Sequence, residues 1–160
     1  MASGSADIVF DNAKVKRALE SLVLRNKQIA ERDERVIGIL SAIVFRDVIE
    51  HFRRQEGPED KWKDWSPRYS AFMASIGRSG NKLLQFSGRL RNSFQPTNVR
   101  KVSEGILWFN NAKTAKGFPY AAAHDQGGPK LPQRQFMWLS EKATNDIEEQ
   151  ILRFLEDAFE

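Results

Sequence analysis

The chain has 160 residues, 41% of them hydrophobic, a net charge of +4 and no cysteine. The lack of cysteine excludes disulfides and cysteine-ligated metal, and it agrees with synthesis in a reducing cytosol. No run reaches the roughly 18 apolar residues of a membrane span, so we expect no membrane partner. We expect a flexible tail at 1–6 and a single domain at 7–160, since the hydrophobic content suffices for one core.

The charges are distributed unevenly along the sequence. Residues 1–56 hold ten Lys or Arg and nine Asp or Glu, residues 57–139 hold thirteen and five, and residues 140–160 hold two and seven. The middle segment therefore carries +8 and the last segment −5. This asymmetry predicts that the basic middle faces an acidic partner, although an ordinary solvated surface would give the same composition.

Hydrophobic periodicity predicts two helices in the first third of the chain. A short strand at 7–10 precedes the first helix, at about 12–30, which has one apolar stripe. The second helix, at about 33–55, is apolar on almost every side between 36 and 45, so we expect that half to be buried all round. A Gly-Pro pair at 57–58 ends this helix.

The middle of the chain changes from irregular to extended structure. Residues 57–82 are rich in Pro, Gly, Lys and Trp, and we expect Trp62 and Trp65 to hold this loop against the body of the protein. The alternation of apolar and polar residues at 94–101 and 105–110 predicts a hairpin.

Two helices are predicted in the last third of the chain. Pro119 and Gly127 suit the start and the end of a short helix. Ser140 caps a final helix at 141–158, whose apolar residues form a clean stripe. The elements together predict an α+β fold, in which a small antiparallel sheet packs against the long central helix and is flanked by N-terminal and C-terminal helices.

The most informative stretch is LLQFSGRLRNSF, at 83–94. Ser87 can accept a hydrogen bond from the amides of a following turn, and Gly88 lets the chain enter that turn tightly. Ser93 follows six residues after Ser87, at the point where the pattern becomes extended. The stretch therefore predicts a capped helical turn between an irregular segment and a strand.

The same stretch predicts an apolar anchor that presents two guanidinium groups. Phe86, Leu90 and Phe94 are spaced four residues apart, so a helical turn would place them on one face. Arg89 and Arg91 would then point away from that face. This arrangement is typical of a docking element rather than of a reaction centre.

Two later motifs, FPYAAAHDQGG at 118–128 and LPQRQFMWLS at 131–140, complete a pattern that resembles the phage virion morphogenesis family. That family supplies tail completion proteins to long-tailed bacteriophages. The resemblance covers the chain from about Val36 to its end. The matching residues are Leu84, Ser87, Gly88, Arg89, Leu90 and Ser93, then Tyr120, Ala121, His124, Gly127 and Gly128, and finally Pro132, Arg134 and Phe136.

The resemblance implies an architectural role in the virion, at the phage neck or tail end. It implies a protein that completes the tail and joins it to the head, with the tail tube and head connector proteins as partners. A tail is a symmetric tube, so the protein is expected to form a ring with itself, and family analogy gives six copies. DNA would pass through the lumen of that ring without specific binding.

Catalytic and metal chemistry have little support in the sequence. The two histidines, His51 and His124, are not spaced as metal ligands, and we expect neither a metal nor a cofactor. Asp125 follows His124, but adjacent residues on a helix do not face each other. We expect a structural His124, hydrogen-bonded to the backbone or to Tyr120, and no enzymatic activity.

A DNA-binding accessory protein is the main alternative. Basic side chains interleaved with aromatic ones are typical of a groove that follows a nucleic-acid backbone, yet the same composition is enriched at protein interfaces. No nucleic-acid-binding module is recognisable in the sequence. The residues concerned are Lys61, Lys63, Arg68, Arg78, Lys82, Arg89, Arg91, Arg100 and Lys101, with Trp62, Trp65, Tyr69 and Phe94.

Overall fold

The computed structural model describes residues 6–8, 34–103 and 105–157. The predicted tail apart from Ala6, and the helix predicted at 12–30, lie outside the described residues. The strands are β1, Ala6–Ile8, β2, Val99–Val102, and β3, Gly105–Asn110. The helices are α1, Glu34–Arg54, α2, Pro67–Ser75, α3, Arg89–Ser93, α4, Tyr120–Gln126, and α5, Glu141–Asp157.

The strands form a small antiparallel sheet in the order β1-β3-β2. The predicted hairpin joins β2 to β3, with Val99 opposite Trp108 and Val102 opposite Gly105. β1 pairs with the other edge of β3, so that Ala6 lies opposite Asn110. The α+β class and the small antiparallel sheet are therefore confirmed.

The long helix α1 has the C-terminal helix α5 as its main neighbour. It also reaches the sheet at one point, where the Trp108 indole Nε1 donates a hydrogen bond of 2.9 Å to the Ser41 hydroxyl. Both residues are buried, so this bond satisfies two polar groups that would otherwise be costly inside the core.

The prediction that the first half of α1 is buried on every side is wrong. Ile39 is 41% exposed, and Ala42 is also exposed. The buried positions, Leu40, Ser41, Ile43 and Val44, lie on one face of the helix. Because the helix has exposed apolar residues as well as this buried face, its apolar composition overstates its burial.

Ser140 and α1 fix the start of the last helix. The Ser140 hydroxyl accepts a hydrogen bond from the Ala143 amide at 3.1 Å, as expected for an N-cap. The carboxylate of Asp47 accepts from the Ser140 amide at 2.8 Å and from its hydroxyl at 2.6 Å. The two helices are thus joined by polar contacts as well as by apolar packing.

The loop after α1 is held down by Trp62, as predicted. Its indole Nε1 donates to the backbone carbonyl of Gln135 at 2.8 Å, and its ring packs edge-on against Phe52 at 5.5 Å. Trp65 is half-buried and stacks edge-on against Tyr69 at 5.6 Å. This loop therefore packs against the body of the protein.

His51 makes stability sensitive to mild acid. It is buried, stacks on Trp138 at 4.0 Å and contacts the Phe136 carbonyl through Nδ1 at 3.0 Å. Burial lowers the pKa of His51 below its ordinary value, although the Phe136 carbonyl and the Asp47 carboxylate oppose that shift. The unfolded chain therefore binds the proton more readily, and the free energy of unfolding should fall as the pH drops below about 6.5.

Denaturant unfolding at pH 7 and pH 5 measures this effect. His51→Gln should make the stability less dependent on pH in that window. His124 acts in the same direction, because burial lowers its pKa as well, so His51→Gln should reduce the pH dependence without abolishing it. Equal stability of the native protein at pH 7 and pH 5 would contradict the prediction.

Candidate functional site

The three sequence motifs meet around one open groove with a volume of about 1160 Å³. Its walls are the loop at 63–67 with the start of α2, the segment at 82–90, the loop at 113–115 and the turn at 128–134, with the groove face of α4 between them. The motif residues that line it are Leu84, Ser87, Arg89, Leu90, Tyr120, His124, Gly128, Pro132 and Arg134. We call this feature the basic groove.

Gly88 sets the geometry of the first motif. It is the N-cap of α3 and has a φ of +72°, a conformation that glycine adopts without strain. Ser87 is therefore not the cap itself, although its hydroxyl accepts from the Arg89 amide at 3.5 Å, at the limit of a hydrogen bond. The turn leaves the Arg89 side chain exposed at the groove.

The prediction that Phe86, Leu90 and Phe94 share one helix face is wrong. α3 begins only at Arg89, so Phe86 lies before the turn and is 47% exposed. Its ring contacts the guanidinium of Arg78 at 4.5 Å. Leu90 and Phe94 are buried in the core, and they anchor α3 without Phe86.

Arg91 and Ser93 make contacts that tie α3 to its surroundings. The guanidinium of Arg91 approaches the side-chain oxygens of Asn92 at 3.3 Å and Gln85 at 3.5 Å. The Ser93 hydroxyl lies 2.6 Å from the Leu90 carbonyl and 3.2 Å from Oδ1 of the buried Asn110. Neither residue lines the groove.

The second motif places Tyr120 and His124 one turn apart on α4, where both are half-buried at the groove. Burial, together with the positive charge of Arg134, lowers the pKa of His124. In the described part of the chain its buried Nδ1 has no hydrogen-bond partner. The expected hydrogen bond of His124 to the backbone or to Tyr120 is therefore not made by Nδ1.

Asp125 points away from His124 and into the protein. Its Oδ1 accepts hydrogen bonds from the amides of Phe136 at 2.9 Å and Met137 at 2.8 Å. All three residues are buried. Asp125 therefore fixes the third motif against α4, and its Oδ1 is already engaged by these two backbone amides.

Arg134 stabilises a wall of the groove. It is only 6% exposed, and its guanidinium donates to the carbonyls of Lys63 at 2.9 Å and Asp64 at 3.2 Å. Its backbone amide donates to the His124 carbonyl at 2.8 Å. Burial lowers the pKa of Arg134, while the nearby carboxylate of Asp64 acts in the opposite direction. The second and third motifs and the loop at 63–64 are thereby held together.

The groove is strongly basic and partly aromatic. Its aromatic side chains are Trp65, Tyr69, Phe86 and Tyr120, and Asp64 is the one acidic residue in its lining. Five basic side chains are exposed there and have no carboxylate within salt-bridge distance among the described residues: Lys63, Lys82, Arg89, Lys113 and Lys130. Such a surface attracts anionic groups and can also bury an apolar side chain.

No group of three or more His, Asp or Glu residues that could hold a metal ion occurs within the described residues. None of the described helices is long and apolar enough to cross a membrane. The groove therefore has a frame of buried, hydrogen-bonded side chains and a lining of exposed basic ones.

Sequence reasoning missed three side chains whose hydrogen bonds hold separate segments together. Asp47, Asn110 and Asp125 each accept hydrogen bonds from groups outside their own helix or strand. Asp125 lies in the second motif, but the sequence did not indicate its partners, the amides of Phe136 and Met137. The Gly57-Pro58 pair and the two tryptophans did predict the loop after α1.

These features define a binding module of an α+β fold, built around three motifs that converge on one groove. The family model for the phage virion morphogenesis family matches residues 10–156, and the chain belongs to that family. No curated protein and no solved structure matches the chain significantly. The family membership indicates a role in the structure or assembly of a phage virion.

Proposed function

We propose that this protein acts at the phage neck or tail end, where it completes the tail and joins it to the head through protein contacts. It acts as a ring of identical copies, six by family analogy, with the tail tube and the head connector as neighbours. DNA passes through the lumen of the ring without specific binding. The family membership and the convergence of all three motifs on the basic groove support this proposal.

The convergence of the motifs is the observation that carries the proposal. Ser87 and Arg89 come from the first motif, His124 from the second and Arg134 from the third, yet all four line the same concave surface. The described residues at this surface offer exposed cations beside aromatic rings. Binding to a protein partner is the activity that this arrangement serves best.

Inactivation of the gene in the phage tests the proposal. Electron microscopy of the lysate should find filled heads and separate tails in place of joined particles. Purified protein added to that lysate should restore joining, and rings should be visible at the ends of tails. Complete, infectious particles in the absence of the protein would overturn the proposed function.

Arg89 should matter for assembly and little for stability. Its guanidinium is exposed and has no partner among the described residues, and exposed substitutions usually change stability by less than about 0.5 kcal/mol. Arg89→Ala should therefore give a folded protein that fails to restore joining. Arg100→Ala, an exposed arginine outside the groove, is the matched control. Unfolding of the Arg89→Ala protein would contradict the assigned role.

The alternative function, DNA binding, is favoured by the basic and aromatic lining of the groove. Two of the aromatic residues that suggested it, Trp62 and Phe94, are buried and cannot stack on bases. We therefore expect only weak, salt-sensitive affinity for duplex DNA, at roughly 10⁻⁴–10⁻⁶ M. Binding tighter than about 10⁻⁸ M at physiological salt would favour the alternative.

A further inference from the structure

The exposed face of α5 carries a stripe that complements the basic groove. Glu148, Leu152 and Glu156 are four residues apart, so they lie on one face of the helix, over a length of about 12 Å. Leu152 is 49% exposed, so it offers an apolar side chain between the two glutamates. Neither glutamate forms an ion pair among the described residues. We call these three residues the acidic stripe.

We propose that the basic groove of one copy binds the acidic stripe of a second copy. The proposal rests on the proposed function, and it names the contact that would build the ring. The two glutamates meet exposed lysines of the groove, and Leu152 enters between the aromatic side chains that line it. The groove exceeds the roughly 300–1,000 Å³ of a typical small-ligand pocket, so it has room for the side chains of a helix face.

The contact must form between copies rather than within one chain. No residue of α5 lines the groove of its own chain, and the stripe is exposed at Leu152 and Glu156. Groove and stripe are different surfaces of the same protein, so each copy offers one of each to its neighbours. Such a head-to-tail contact generates a closed ring when the rotation between copies closes.

The charges of the two surfaces also favour the acidic stripe as the partner of the basic groove. The groove presents five exposed cations without carboxylate partners, and the last segment of the chain has a charge of −5. Opposite potentials across an interface fix its register and suppress wrong pairings. Exposed charges are screened beyond about 8 Å at physiological salt, so the association should weaken as salt rises.

A charge swap tests the contact in the full-length protein by sedimentation velocity. Lys113→Glu with Lys130→Glu should weaken self-association about tenfold or more, and so should Glu148→Lys with Glu156→Lys. A mixture of these two double variants should associate with each other, because the swapped charges are again opposite. The matched controls, Arg100→Glu with Lys116→Glu and Glu59→Lys with Asp60→Lys, change exposed residues outside both surfaces and should associate normally.

Cross-linking provides a second measurement that does not depend on charge. The chain has no cysteine, so Lys130→Cys with Leu152→Cys introduces two, and a disulfide from position 130 of one copy to position 152 of the next would join groove to stripe. Oxidation should give a ladder of covalent oligomers that a thiol reverses, since a disulfide needs Cα atoms within about 7 Å. Lys116→Cys with Leu152→Cys should give none.

Several results would overturn the inference. Rings that form normally in both double variants would place the subunit contact elsewhere, and so would double variants that weaken association but do not bind each other. Self-association that is unchanged while duplex DNA occupies the groove would also overturn it. A strict monomer that still restores head–tail joining would refute the ring contact and leave the assembly role intact, whereas dispensability of the gene would refute the assembly role itself.

Discussion

Gly127→Ala is expected to lower the free energy of unfolding by roughly 3–5 kcal/mol. Gly127 has a φ of +72° and a ψ of −171°, a region that only glycine enters freely, and a side chain there costs about 1–3 kcal/mol. A Cβ at this position would also lie 2.8 Å from the amide nitrogen and 2.9 Å from the Cα of Gln133. Relief of that overlap would move the turn that carries the third motif, at a further cost of about 1–3 kcal/mol.

Gly128→Ala is the matched control. A Cβ at Gly128 would meet no atom within 4 Å, so we expect a change of less than about 0.5 kcal/mol. Urea unfolding of the two variants measures the difference directly. Similar stability of both variants would mean that the turn at 127–133 relaxes freely, and that Gly127 is not needed to position Arg134.

Local patterns predicted the elements that depend on neighbouring residues. The strong periodicity of α1 and α5 predicted both helices to within a residue or two of their ends, and Ser140 was correctly identified as a cap. The hairpin followed from alternation and a short turn. In each case the interactions that form the element lie within a few residues, where sequence spacing is informative.

Phe86 illustrates where local reasoning fails. Its spacing from Leu90 predicts a shared helix face only if the helix begins before it. The left-handed Gly88 starts the helix later, so the same spacing leaves Phe86 exposed. The glycine indicates a turn, but it does not show whether the helix lies before or after that turn.

The basic groove could not be predicted, because distant residues build it. Arg134 donates to the carbonyls of Lys63 and Asp64, which lie about 70 residues earlier in the chain. Every residue has a backbone carbonyl, so the sequence does not show which carbonyls accept a hydrogen bond from Arg134. The motifs predicted which residues matter, whereas their convergence on one groove required the fold.

Asp125→Ala is expected to destabilise the protein by roughly 3–5 kcal/mol. Oδ1 of Asp125 accepts the amides of Phe136 and Met137, and both of these residues are buried. Removal of the side chain would leave two buried N–H groups without their acceptor, and each costs about 1–3 kcal/mol. Urea unfolding would measure the loss.

Asp125→Asn separates this structural role from a catalytic one. The carboxamide keeps an oxygen that can accept from both amides, so the variant should lose much less stability than Asp125→Ala. Combined with His124→Asn, it removes any acid–base chemistry from the pair while the fold is retained. Phage carrying both substitutions should therefore yield complete particles at near-normal levels. A folded double variant that forms rings but fails in assembly would instead assign a proton-transfer role to these two residues.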